Sequence, residues 1–74
     1  MLVERIEREI KVEMDKGYNE IYSIRIPYNE LNDDEIEDLN NAYLIRTIRY
    51  KGYLPYVLYN EETKEHFLEV LYMG

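Results

Sequence analysis

Apolar residues recur every four positions at the start of the chain, at Leu2, Ile6, Ile10 and Met14, with Val3 beside them. That spacing predicts an amphipathic helix over 2–16 with one face turned to a sheet. Charged residues fill the other side. Glu4 with Arg8, and Glu7 with Lys11, stand acid before base at i,i+4, worth about 0.2–0.5 kcal/mol per pair. Gly17 is placed to end the helix, with Tyr18 packing back on the last turn. Glu13 falls where a heptad would need an apolar residue, so the stripe does not extend into a coiled coil.

The period then changes to two. Tyr22, Ile24 and Ile26 alternate with Ser23 and Arg25, predicting a strand over 20–27 that Pro27 ends or marks as an edge. Asn32 or Asp33 is a suitable N-cap for a second helix, and the acids after it suit a helix N-terminus. Ile36, Leu39 and Tyr43 keep helical spacing. Two readings remain open beyond Tyr43. In one, the helix runs to Lys51, with Arg46, Arg49 and Lys51 favouring its C-terminal dipole and Gly52 following it. In the other, a strand starts at Tyr43, because Ile45, Thr47, Ile48 and the flanking Tyr43 and Tyr50 carry β-branched and aromatic bias. Leu44, Ile45 and Ile48 also leave the Ile36/Leu39/Tyr43 face of a single helix, which tips the reading towards the strand.

The clearest hairpin joins 53–59 to 65–72 through the polar loop Asn60–Lys64. On the returning strand Leu68, Val70 and Tyr72 share one face, and Phe67, Glu69 and Leu71 share the other. The expected fold is therefore α+β in one domain over 1–74. Two helices pack on a small, mostly antiparallel sheet of three to four strands, in the order α-β-α-(β)-β-β. The helices cover one sheet face, and the other face or an edge carries Tyr and Arg.

Composition narrows the function more than it names it. The chain has 74 residues, 46% of them hydrophobic, a formal charge of −7, and no Cys. No disulfide framework or cysteine-based zinc site is available. The apolar runs are too short for a transmembrane helix or a secretory signal, and the absence of Cys fits a cytoplasmic location. The acid excess opposes direct binding to nucleic acid or anionic membrane. A domain of this size buries only about 60% of its unfolded surface, which favours a homo-oligomer or a complex as the means of adding buried area.

Catalytic material is sparse. Ser23 is the single serine and His66 the single histidine, and no P-loop, GxGxxG or HExxH motif occurs. No catalytic residue, metal or cofactor is implied. The run from Glu30 to Asp38 is rich in acids, but the absence of Gly between Gly17 and Gly52 defeats an EF-hand loop. Within it, Asp33, Asp34, Glu37 and Asp38 form a candidate acidic surface, either a solvated helix start or a stand-in for nucleic-acid phosphates.

The tyrosines are the most unusual feature. There are nine, with Phe67 the only other aromatic residue. A small core cannot easily supply nine buried hydroxyl partners, so several tyrosines belong at the surface. Tyr and Arg are enriched in interface hot spots. Arg46, Arg49, Tyr53, Tyr56 and Tyr59 are accordingly the candidate partner-binding residues. The leading expectation is a non-enzymatic protein-binding module of inhibitor or regulator type, as among viral and mobile-element accessory proteins. The alternative is an acidic nucleic-acid mimic that blocks a nucleic-acid-binding protein. A third reading stacks single-stranded nucleic acid on the Arg46–Tyr59 surface.

Overall fold

The computed structural model describes residues 1–17 and 23–72. Helix α1 spans Leu2–Asp15, and strand β1 spans Ser23–Pro27. A short 3-10 turn at Tyr28–Glu30 leads to α2 (Asp33–Leu39) and α3 (Ala42–Tyr50). The hairpin β2 (Tyr53–Asn60) and β3 (Glu65–Tyr72) follows. The sheet is antiparallel throughout, in the order β1-β3-β2, so β3 is central. This is the α+β architecture read from the sequence, with three strands and a third helix. The predicted strand positions 20–22 and the packing of Tyr18 lie outside the described residues.

Helix α1 buries Leu2, Ile6 and Ile10, while Met14 is exposed. The geometry of the stripe explains why it stops. Each i,i+4 step turns about 40° past a full circle, so twelve residues on Met14 points about 120° away from Leu2. Gly17 takes a φ of +98° after the Lys16 C-cap, the left-handed conformation expected of a C′ glycine. Glu7 reaches across to Lys51 at 3.4 Å rather than to Lys11, so that acid ties α1 to the end of α3.

The strand expected at 43–51 is a helix, and this part of the sequence reading is corrected. The predicted second helix is two helices with a break at Asn40–Asn41. Asn32 caps α2 in a reciprocal capping box with Glu35. Asn41 caps α3, its Oδ1 accepting the Tyr43 and Leu44 backbone N–H groups at 3.1 and 3.3 Å. The chain changes axis there. Leu44, Ile45 and Ile48 therefore form the inner face of a new helix, opposite Tyr43, Arg46 and Tyr50. Gly52, with a φ of +95°, turns the chain from α3 into β2.

One core holds the layers together. Leu2, Ile6 and Ile10 of α1, Ile48 of α3 and Leu31 meet Ile24, Ile26, Leu68 and Val70 from the sheet. The register places Ile24 opposite Val70 and Ile26 opposite Leu68, so these four share the helix-covered face. The opposite face carries Arg25, Leu54, Tyr56, Leu58, Phe67, Glu69 and Leu71 by the same alternation, and no helix among the described residues covers it. The Cα envelope of 31 × 30 × 18 Å is that of a two-layer plate.

Candidate functional site

Helix α3 carries the most exposed aromatic side chains among the described residues. Tyr43 is 76% exposed and Tyr50 94%, and they stand with Arg46 and Thr47 around an open groove of about 270 Å³. The spacing i, i+3, i+7 aligns Tyr43, Arg46 and Tyr50 on one stripe. Thr47 helps fix that stripe by donating its hydroxyl to the Tyr43 carbonyl at 3.2 Å. Arg49 is exposed on the same helix. From Ala42 to Gly52 the chain has three bases and no acid, so the stripe is locally cationic on a chain of charge −7.

The five predicted partner-binding residues do not form one patch. Arg46 and Arg49 belong to α3. Tyr53 is half-buried and stacked on Tyr72 with ring centroids 5.5 Å apart. Burial pushes its hydroxyl pKa up, and the Glu7 carboxylate and Tyr72 add to the rise. Tyr56 points to the open sheet face, opposite Glu69. Tyr59 lies on the other face, its ring 5.0 Å from His66, which in turn stands 5.7 Å from Tyr28. Burial raises the Tyr28 pKa as well.

The exposed members that the sequence reading missed are Tyr43 and Tyr50. Their i,i+7 spacing was visible, but it means a shared face only if the segment is helical.

The open sheet face has its own chemistry. Arg25 stands over the Phe67 ring, 5.3 Å from its centroid, and its Nε lies 3.4 Å from Glu69. A hollow of about 250 Å³ opens beside it at the hairpin end, between Arg25, Phe67, Asn60 and Thr63. Asn60 shapes the loop there, its Oδ1 accepting the N–H groups of Glu62 and Thr63.

The acidic candidates divide between surface and structure. Asp33, Asp34 and Glu37 are exposed on α2. Asp38 is half-buried, and its Oδ2 accepts the Leu2 backbone N–H at 2.9 Å, capping α1 from another helix. Glu35, which the sequence reading left out of the acidic surface, is 4% exposed. Its Oε1 accepts from Arg5 Nη1 at 3.1 Å and from the Asn32 backbone N–H at 2.9 Å. No cluster of three or more potential metal-ligating His, Cys, Asp or Glu side chains occurs among the described residues.

Ser23 and His66 are held apart. Ser23 pairs with Leu71 at one end of β3, whereas His66 lies five residues away on the opposite face, about 16 Å along the strand. No helix among the described residues is long and apolar enough to cross a membrane. No family model matches the chain, and no curated protein or solved structure shows significant similarity to it.

Proposed function

We propose that the chain is a non-enzymatic protein-binding module of inhibitor or regulator type, acting inside the cell, a setting that suits a chain without cysteine. The observation that carries this reading is the Tyr43–Arg46–Tyr50 stripe of α3. A tyrosine 94% exposed contributes almost nothing to its own core. Two such rings flanking an arginine offer large, rigid contact area at low entropic cost, together with a planar hydrogen-bonding fork. Lys51 at the end of α3 is paired with Glu7, so Arg46 and Arg49 supply the charge of this surface, which favours a partner that is acidic or rich in carbonyl groups.

The nucleic-acid-mimic reading draws on Asp33, Asp34 and Glu37. It is weakened because Asp38 and Glu35 are already engaged in capping and pairing within the fold. Stacking of single-stranded nucleic acid would use the same α3 stripe, against the repulsion of a −7 chain.

The test is capture from native-cell lysate on the immobilised chain, read by mass spectrometry. The wild type is compared with Tyr50→Ala, Arg46→Ala and an Asp33→Asn/Asp34→Asn/Glu37→Gln variant. Each variant is also unfolded in urea. The proposal expects a protein held by the wild type and weakened about 30-fold or more by Tyr50→Ala, in the hot-spot range, with an unchanged urea midpoint. Retention that ignores Tyr50 and Arg46 but fails in the acid variant would replace this reading with the mimic. Recovery of nucleic acid in place of protein would favour the third reading.

A further inference from the structure

We propose that β2 is a self-pairing edge: two copies of the chain join antiparallel through β2 about a two-fold axis at Val57, giving one continuous sheet with two β2 strands at its centre. This goes beyond the binding role of α3 and uses a different surface, so either can fail without the other.

The order β1-β3-β2 leaves two edges. Strand β1, Ser-Ile-Arg-Ile-Pro over its described residues, bears Arg25 and ends at Pro27. Those are features that blunt an edge against pairing. Strand β2, Tyr-Leu-Pro-Tyr-Val-Leu-Tyr-Asn, has no charged residue, in a chain that is 34% charged. Its one blunting feature is Pro55, which lies towards α3. Beyond Pro55 stand Tyr56, Val57, Leu58 and Tyr59, exposed by 45, 47, 39 and 52%. Consecutive strand residues point to opposite faces. Exposure of all four therefore leaves this half of β2 uncovered on both faces.

Register and charge favour a second copy. Directly paired residues in a sheet share a face, so a two-fold axis normal to the sheet must pass through a residue and not between two. Centring on Val57 pairs Tyr56 with Leu58 of the second copy on the open face, and Pro55 with Tyr59 on the helix-covered face. That register keeps Leu54–Asn60 in the overlap. Centring on Tyr56 keeps an overlap of the same length, Tyr53–Tyr59, but draws into the seam Tyr53, which is stacked on Tyr72 next to the end of α3, and centring on Leu58 keeps only Tyr56–Asn60. The antiparallel course also brings Arg49, which precedes β2, towards Glu61 and Glu62 in the loop of the second copy, while Lys51 keeps its pairing with Glu7. With Lys64 in the same loop, each end of the uncharged strand joins one arginine to a loop of one net negative charge, despite a net charge of −7 on each chain.

Sedimentation equilibrium over micromolar concentrations is the first measurement. The wild type is expected to approach twice the 9.1 kDa chain mass. Val57→Lys, which places two like charges on the axis, is expected to sediment as a monomer that still unfolds cooperatively in urea. Val57→Cys supplies a near-isosteric check in a chain that otherwise has no cysteine. Mild oxidation should cross-link it to a dimer, while Thr63→Cys in the loop stays monomeric. A wild type that remains at 9.1 kDa would overturn the proposal. So would a dimer that Val57→Lys leaves intact, or one in which Val57→Cys cross-links no better than Thr63→Cys.

Discussion

Replacing Glu35 with Ala removes the one buried charged side chain among the described residues and tests how α1 is fastened to α2. The carboxylate does two jobs. It completes the capping box by accepting the Asn32 N–H at 2.9 Å, while Asn32 Oδ1 accepts the Glu35 N–H at 2.8 Å. It also accepts from Arg5 Nη1 at 3.1 and 3.5 Å. Losing the capping contribution costs about 1 kcal/mol. Leaving a buried charge without its partner costs about 3–5 kcal/mol when nothing else compensates. Arg5 is partly compensated, because its Nε keeps Glu9 at 3.0 Å and its side chain is 15% exposed. A total near 3 kcal/mol is therefore expected for Glu35→Ala, against the ~3–5 kcal/mol available to a domain of this size.

Glu35→Gln keeps an acceptor for the cap and loses only the charge, so about 1–2 kcal/mol is expected. The assay is equilibrium urea unfolding by circular dichroism, with Arg5→Met and the Arg5→Met/Glu35→Gln double variant closing a cycle. The double variant should be less destabilised than the two singles together by about 1–2 kcal/mol. Strict additivity, or a Glu35→Ala cost below about 0.5 kcal/mol, would show that this pair does not join the helices.

Two further outcomes follow from the same contacts. Asp38→Ala should cost about 1 kcal/mol in urea unfolding, because it removes the acceptor of the Leu2 N–H; Asp34→Ala on the exposed side of α2 should change stability by less than about 0.5 kcal/mol. The raised pKa values of Tyr28 and Tyr53 fix the sign of an alkaline effect. Their contribution is fully present below the unfolded-chain value of about 10 and is lost as pH rises through the higher folded values. The urea midpoint should therefore fall above about pH 10, and Tyr53→Phe with Tyr28→Phe should flatten that fall.

The sequence was most legible where a local rule decides the conformation. The hairpin faces follow from period-two alternation alone, with Leu68 and Val70 in the core and Phe67, Glu69 and Leu71 on the open side. Gly17 was identifiable as a helix-ending residue, Gly52 only in the helical reading of 43–51 that the sequence did not favour, and both take positive φ. The segment 43–51 was illegible because two rules disagreed. Its β-branched and aromatic residues favour a strand, while Arg46, Arg49 and Lys51 in the last turns and Gly52 beyond them favour a helix. Tertiary burial of Ile48 accompanies the helical outcome, and neither Asn41 nor the axis change has a periodic signature.

The acid run was legible only as charge. Composition cannot separate Asp33, which faces solvent, from Asp38, which reaches another helix, because the difference lies in contacts 36 residues apart in sequence. The tyrosines were legible as a surplus but not as surfaces. The division of the described tyrosines among α3, the open face, the Tyr53–Tyr72 stack and the Tyr28–His66–Tyr59 group depends on the helix assignment and the strand register together.

A plate with helices on one side has a consequence for how its stability should be measured. Among the described residues the core is made from nine buried hydrophobic residues, while Tyr56–Tyr59 remain at the surface of the β2 edge beyond Pro55. If β2 pairs with a second copy, native chains are stabilised by association and unfolded chains are not, so the free energy of unfolding depends on protein concentration. At a concentration 100 times the dissociation constant, a bound partner adds about 2.7 kcal/mol, comparable with the ~3–5 kcal/mol of the isolated domain. The thermal midpoint should therefore climb as wild-type protein is concentrated from low to high micromolar. For a domain of 60–100 residues, each kcal/mol corresponds to about 4–8 °C. Val57→Lys should show a midpoint independent of concentration, equal to the dilute limit of the wild type, because Val57 is 47% exposed in the single chain and contributes little to its core. A wild-type midpoint that does not move across that range would place all of the stability within one chain and leave the β2 edge without a thermodynamic role.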